Sequence, residues 1–196
     1  MRSITPKLYR GSLSRIEARK LKDTYELEVL NRKFDVKVIR TNATGLSQAK
    51  FADKYNLNLQ SLKQWEKSPE KVRSSIRTYL NMIYLAPKLV DQILNLSDGE
   101  VQEMTREDTA IQGLTLDGKI DVSGIREQAT GLSQSEFARY YYINVFTLQK
   151  WEQNPSRVTA PNQAYLFLIN RAPKLVKALA DAQTSDDAKR IQKAII

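Results

Sequence analysis

The chain has 196 residues, enough for one large domain or two small ones. It carries 31 Lys and Arg against 22 Asp and Glu, a formal charge of +9, and this balance points toward a polyanionic partner such as nucleic acid. It has neither Cys nor His, which excludes disulfides, Cys/His zinc sites, thiol nucleophiles and histidine general bases. No apolar run approaches the ~20 residues of a spanning helix, so no membrane is expected as a partner. Residues 1–20 are basic without an apolar core and do not read as a secretory signal. The expected location is cytoplasmic, on the nucleoid.

Residues 1–34 form a basic N-terminal arm, with Arg2, Lys7, Arg10, Arg15, Arg19, Lys20 and Lys22. Two readings stay open. A flexible arm can enter a minor groove. Alternatively 13–30 is a helix that packs Leu13, Ile16, Leu21 and Leu27 on a module or on a second chain.

Beyond the arm the chain repeats itself. Residues 30–94 align with 116–180 at a constant offset of 86, without a gap, and 29 of the 65 pairs are identical. The block Ala-Thr-Gly-Leu-Ser-Gln occurs at 43–48 and again at 129–134. Such agreement means two copies of one unit, 35–94 and 119–182. Asp35 and Asp121 are N-caps for a first helix, which Gly45 and Gly131 end. Ser47 and Ser133 cap a second helix, with Phe51, Ala52 and Tyr55 (Phe137, Ala138 and Tyr141) at helical spacing. Asn58 and Asn144 cap a third, which carries Leu62 and Trp65 (Leu148 and Trp151) inward and stops at Pro69 or Pro155. A fourth helix has Tyr79, Leu80 and Ile83, matched by Tyr165, Leu166 and Ile169. Pro87 and Pro173 open a fifth. Strand signal is confined to possible extended residues near 28–34 and 114–120.

Between the copies, 95–118 holds six acids and one Arg and reads as a solvated linker that stays clear of a phosphate backbone. The tail, 183–196, has a last helix as a candidate, with Ile191, Ile195 and Ile196 for docking or dimer contact. The expected fold class is therefore all-α, two tandem five-helix domains with an N-terminal arm or helix.

The second and third helices of each copy are separated by about three residues, the spacing of a helix-turn-helix. The pattern Leu-Ser-Gln-x-x-Phe-Ala, then Asn-x-x-[Ser/Thr]-Leu-x-x-Trp-Glu, then Pro, resembles the XRE or phage-repressor type of helix-turn-helix. It is most similar to HigA-like antitoxin regulators. The resemblance covers about 130 residues, and two copies stand in register. The family places Gly at the turn, where this chain has Asn56 and Tyr142. Asn tolerates a left-handed backbone and Tyr does not, so strain is expected at Tyr142. The family also has one such domain, and this chain has two.

In that architecture the third helix enters the major groove. The expected base-contacting residues are Asn58, Leu59, Gln60, Lys63 and Gln64 in copy one, and Asn144, Val145, Phe146, Gln149 and Lys150 in copy two. Gln pairs with adenine, Lys reaches guanine acceptors, and Phe146 or Val145 packs on a thymine methyl. The expected phosphate contacts are Ser47, Gln48, Lys67, Lys71 and Arg73, with Ser133, Gln134 and Arg157. Each is equally explained as a cap or a solvated side chain. Trp65 and Trp151 are read as core. The resemblance implies structural ion pairs, Arg40 with Glu66 and Arg126 with Glu152.

These readings favour a sequence-specific regulator that binds double-stranded DNA, of a mobile-element, phage or toxin–antitoxin locus. Because the third helices differ between copies, the target is expected to be two unlike half-sites, about one turn (~34 Å) apart. The alternatives are an architectural or accessory DNA-binding protein of plasmid or phage, and a protein-interaction adaptor on the same scaffold. A homodimer and a toxin or other protein partner stay open. No catalytic activity, cofactor or metal is expected, since no phosphate loop, ligand cluster or nucleophile–base pair stands out.

Overall fold

A computed structural model of the chain describes residues 34–106, 120–182 and 184–195. Every regular element among these residues is helical, and there is no strand. The arm expected at 1–34, but for Phe34, the alternative helix at 13–30, all but the last residue of each stretch expected to be extended, and Ile196 lie outside the described residues.

Local chemistry sets the helix ends. Asp35 accepts a bond from the Val38 amide and opens α1, Val36–Thr44, which closes on Gly45 at φ 66°. Ser47 caps α2, Gln48–Lys54, and Asn58 caps α3, Leu59–Lys67. Pro69 begins a single 3-10 turn, Pro69–Lys71, because it cannot continue α3. Then come α4, Ser74–Leu85, and α5, Pro87–Asn95, with Pro87 at the first position, where a missing amide costs nothing.

The second copy places the same elements 86 residues later. Helix α7 runs Val122–Gly124 and continues as a π-helical stretch, Ile125–Thr130, to Gly131. It is followed by α8, Gln134–Tyr140, and α9, Val145–Gln153. A 3-10 turn, α10 (Ala160–Arg171) and α11 (Pro173–Asp181) complete the unit. The two turns before α3 and α9 share one conformation: Asn56 has φ 49° and Tyr142 φ 55°. The left-handed backbone costs a Tyr about 1–3 kcal/mol. Against this, the Tyr142 hydroxyl donates to Asp181, and the Lys177 ammonium lies 5.4 Å over its ring.

The described residues from Asp35 onward form one compact body. Within it α4 packs on both α10 and α11, and α10 packs in turn on α5. Exchanging the copies exchanges these pairings, the mark of a two-fold interface. On its axis the equivalent residues Tyr79 and Tyr165 meet, with ring centroids 6.2 Å apart. Nearby the Ser75 hydroxyl donates to Asn162 Oδ1 at 2.9 Å, both residues buried. Helix α10 is accordingly apolar around most of its circumference, and Ala164 through Ile169 are all buried.

Of the stretch expected to be a solvated linker, residues 95–106 are described and are largely helical, and 107–118 lie outside the described residues. Acidic residues start a sixth helix, α6 (Asp98–Thr105), in which Ser97 and Glu100 form a capping box. Asp98 and Glu100 occupy the first turn, where the helix dipole favours negative charge. Val101 is fully buried. Arg171, from α10, reaches across the two-fold to α6, donating to Asp98 (2.9 Å) and to the Ile93 carbonyl (2.6 Å). A last helix, α12, spans Ser185–Ile195, with the Thr184 hydroxyl and the Asp187 carboxylate in the capping-box arrangement.

Candidate nucleic-acid interface

In each copy two short helices meet across a tight turn, and a buried tyrosine holds that turn. The Tyr79 hydroxyl donates to the Tyr55 carbonyl at 3.0 Å, and Tyr165 does the same to Tyr141 at 3.0 Å. The Tyr55 and Tyr141 hydroxyls in turn donate to the Pro87 and Pro173 carbonyls. Burial, with the Asp91 charge nearby, pushes the Tyr55 phenol up to about 12, so it stays a donor at any ordinary pH. The four tyrosines thus tie both turns to the two-fold core. Their ring positions read as core from spacing alone. Their hydroxyl partners lie 24 or 32 residues away and leave no periodic signal.

The first and third helices are joined by an ion pair in each copy. Arg40 Nε lies 2.6 Å from Glu66 Oε1, and Arg126 Nε lies 2.6 Å from Glu152 Oε1. Each guanidinium also donates to a carbonyl just after the first helix, that of Leu46 or Leu132. Burial works to raise the two carboxyls. The bonds from Arg40 and Gln48, and from Arg126 and Gln134, outweigh it and hold both below the usual carboxylate range. The same bonds, chiefly from Glu152, raise Arg126.

Gln48 and Gln134, read from sequence as phosphate contacts, spend their side-chain amides on this pair, each 2.7 Å from the Glu. Ser47 and Ser133 are exposed helix caps. In copy two Glu136 completes a capping box on Ser133, which places a carboxylate beside the start of α8. Lys50 stands at the equivalent place in copy one.

The candidate base-contacting residues cluster on the outer side of α3 and α9. Gln60, Lys63, Gln64 and Lys150 are exposed, and Leu59 and Val145 are half-buried. Asn58 and Asn144 are exposed, but their side-chain oxygens cap α3 and α9. Gln149 leans on Gln134, donating at 3.3 Å. Phe146 is 68% exposed, the largest exposure of any large apolar side chain among the described residues. Leu62 and Leu148 are fully buried. Trp151 is buried as well, and Trp65 is half-buried. Lys67, Lys71, Arg73 and Arg157 are exposed just beyond the helices. The ammonium groups of Lys63, Lys67 and Lys71 have no acidic partner among the described residues.

The two outer surfaces differ in charge. Residues 35–73 hold eight Lys or Arg against four acids, whereas 121–159 hold four against four. Aligned positions show where the charge goes: Lys37 faces Ser123, Lys50 faces Glu136, Lys54 faces Tyr140, Lys63 faces Gln149, Lys67 faces Gln153 and Arg73 faces Thr159, while Arg139 faces Asp53 and Lys150 faces Gln64. In copy two an open polar cleft of 490 Å³ lies between α7, α8 and α9, lined by Arg126, Gln134, Gln149 and Glu152 among others. None of the described helices is long and apolar enough to cross a membrane. The chain matches no protein-family model, no curated protein and no solved structure.

Proposed function

We propose that each copy is a helix-turn-helix module and that the chain is a sequence-specific regulator of double-stranded DNA. The observation that carries this reading is the pairing of α2 with α3, and of α8 with α9, across left-handed turns tied to one two-fold core. The buried Arg–Glu pairs fix the tilt of α3 and α9. Their outer faces keep Gln and Lys side chains free for base edges and phosphates. A single chain then acts as its own dimer. The resemblance to phage-repressor and HigA-like regulators suggests a phage, mobile-element or toxin–antitoxin locus as the setting.

The test is selection of binding sites from random duplex DNA by the full chain, followed by footprinting of the recovered sequence. A composite site with two unlike halves is expected. Exchanging residues 59–64 with 145–150 should change the order of the halves. Recovery of DNA with no preferred sequence would sink the regulator reading in favour of an architectural binder. Failure to retain any duplex would sink both.

A further inference from the structure

We propose that the two modules divide the work on DNA. The first supplies most of the attraction to the phosphate backbone, and the second discriminates bases through contact of Phe146 with a thymine 5-methyl group. This rests on duplex DNA being the partner.

The charge comparison carries the first half. Six aligned positions are cationic in module one and neutral or acidic in module two, and only two, Asp53/Arg139 and Gln64/Lys150, run the other way. Neutralised phosphates release counterions, and that release dominates sequence-independent affinity. A surface with balanced charge gains little from it. Glu136, fixed beside the start of α8 by its capping box, adds repulsion where module one has Lys50.

Phe146 carries the second half. It is the second residue of α9, at the place Gln60 takes in α3, and it is 68% exposed. A ring in water gains energy only by meeting an apolar group. On the floor of the major groove the apolar group is the thymine methyl. A protein-docking face is a contiguous apolar patch. Here the neighbours Gln149, Lys150 and Gln153 are polar, and Tyr140 lies under the Lys177 ammonium, 4.7 Å from its ring centroid. Module two needs no strong phosphate grip of its own. The shared core and the Arg171–Asp98 clamp hold it to module one, so its encounter with DNA is intramolecular.

The experiment uses the full chain and the duplex recovered by selection, with binding followed by fluorescence anisotropy across a salt series. Lys63→Gln with Lys67→Gln installs the residues of module two in module one. The slope of log affinity against log salt is expected to fall by roughly 2, about 0.9 for each phosphate that a lysine no longer neutralises. Phe146→Ala should leave the slope unchanged and weaken binding about fourfold, the worth of burying one methyl-sized group. Replacing thymines singly by deoxyuridine removes only the methyl. One such change should weaken the wild type about fourfold and leave Phe146→Ala unaffected.

An unchanged slope in the double Lys variant overturns the division. A wild type indifferent to every deoxyuridine, or a penalty that persists in Phe146→Ala, overturns the methyl contact. A protein partner released by Phe146→Ala, with DNA affinity unaltered, makes module two a docking surface and also overturns it. All three side chains are solvent-facing, so the variants should melt with the wild type. Absence of any DNA binding by the wild type strikes the regulator reading itself, a separate result.

Discussion

The inner surfaces of the two copies agree residue by residue, and their outer surfaces do not. Inside, equivalent residues do equivalent things: Tyr79 and Tyr165 brace the turns, Arg40 and Arg126 pair with Glu66 and Glu152, and Leu62 and Leu148 are fully buried. Outside, Lys gives way to Gln, Lys50 to Glu136 and Gln60 to Phe146. Core positions answer to packing and to buried hydrogen bonds, which both copies need in the same form. Surface positions answer only to what they touch. The two copies therefore share a scaffold and differ in the faces it presents.

The largest expected effect tests whether the scaffold is equivalent in both modules. Arg40→Ala leaves Glu66 with a side chain only 8% exposed and no counter-charge, and Arg126→Ala does the same to Glu152 at 10%. Removing one member of such a pair costs about 3–5 kcal/mol. Both variants should lose stability by that amount in urea unfolding, within ~1 kcal/mol of each other. A cost confined to one module would break the comparison.

The two-fold is broken in the core at one telling place. Arg171 occupies the position where the first module has Leu85. Its guanidinium is 7% exposed, pairs with Asp98 at 2.8 Å and stacks 4.5 Å from the Phe167 ring. Arg171→Leu restores the symmetry and should cost roughly 1–3 kcal/mol, because Asp98 and the Ile93 carbonyl lose their donor. The loss should fall on α6 first, read as faster amide exchange of residues 98–105 than of α3 or α9. Uniform acceleration throughout the body would show that Arg171 stabilises the whole core and not one clamp.

Much of each module was legible in the sequence because its signals are local. Asp35, Ser47 and Asn58 are caps whose partners lie three residues on, and Pro69 and Pro87 act on their own helices. The left-handed turn at Tyr142 was legible from the aligned Asn56 and the shared spacing. The Arg–Glu pairs came only with the family resemblance. The packing of α4 on α10 was not legible. Tyr79, Leu80 and Ile83 define an apolar face, and nothing local says that a second copy covers it. A clue did exist in the unbroken run from Ala164 to Ile169, too apolar for a helix with one side in water. Helix α6 has a local signal in the capping-box spacing of Ser97 and Glu100, but its acids suit a solvated stretch equally well. The side-chain partners of Gln48 and Gln134 were not legible for a similar reason. A glutamine at a helix start is free in sequence and committed in space.

The smallest expected effect concerns pH, and it again sets inner against outer surface. With no His in the chain, stability and DNA affinity should both be flat between about pH 6 and 8. Below that range the scaffold should respond. Glu66 and Glu152 sit below the ordinary value of 4.5 in the folded chain. The unfolded chain therefore takes up protons first as pH falls, and the stability these carboxylates provide above that value is lost as pH passes down through their folded pKa. Melting temperature should drop steadily from pH 5 toward pH 3. Glu66→Gln and Glu152→Gln should each be less stable at neutral pH, yet each should flatten the acid limb by a similar share. The double variant should flatten it most. If the double variant kept the wild-type slope, the acid response would belong to exposed carboxylates such as Glu136, which only the second module has at that position, and the inner equivalence of the modules would have no part in it.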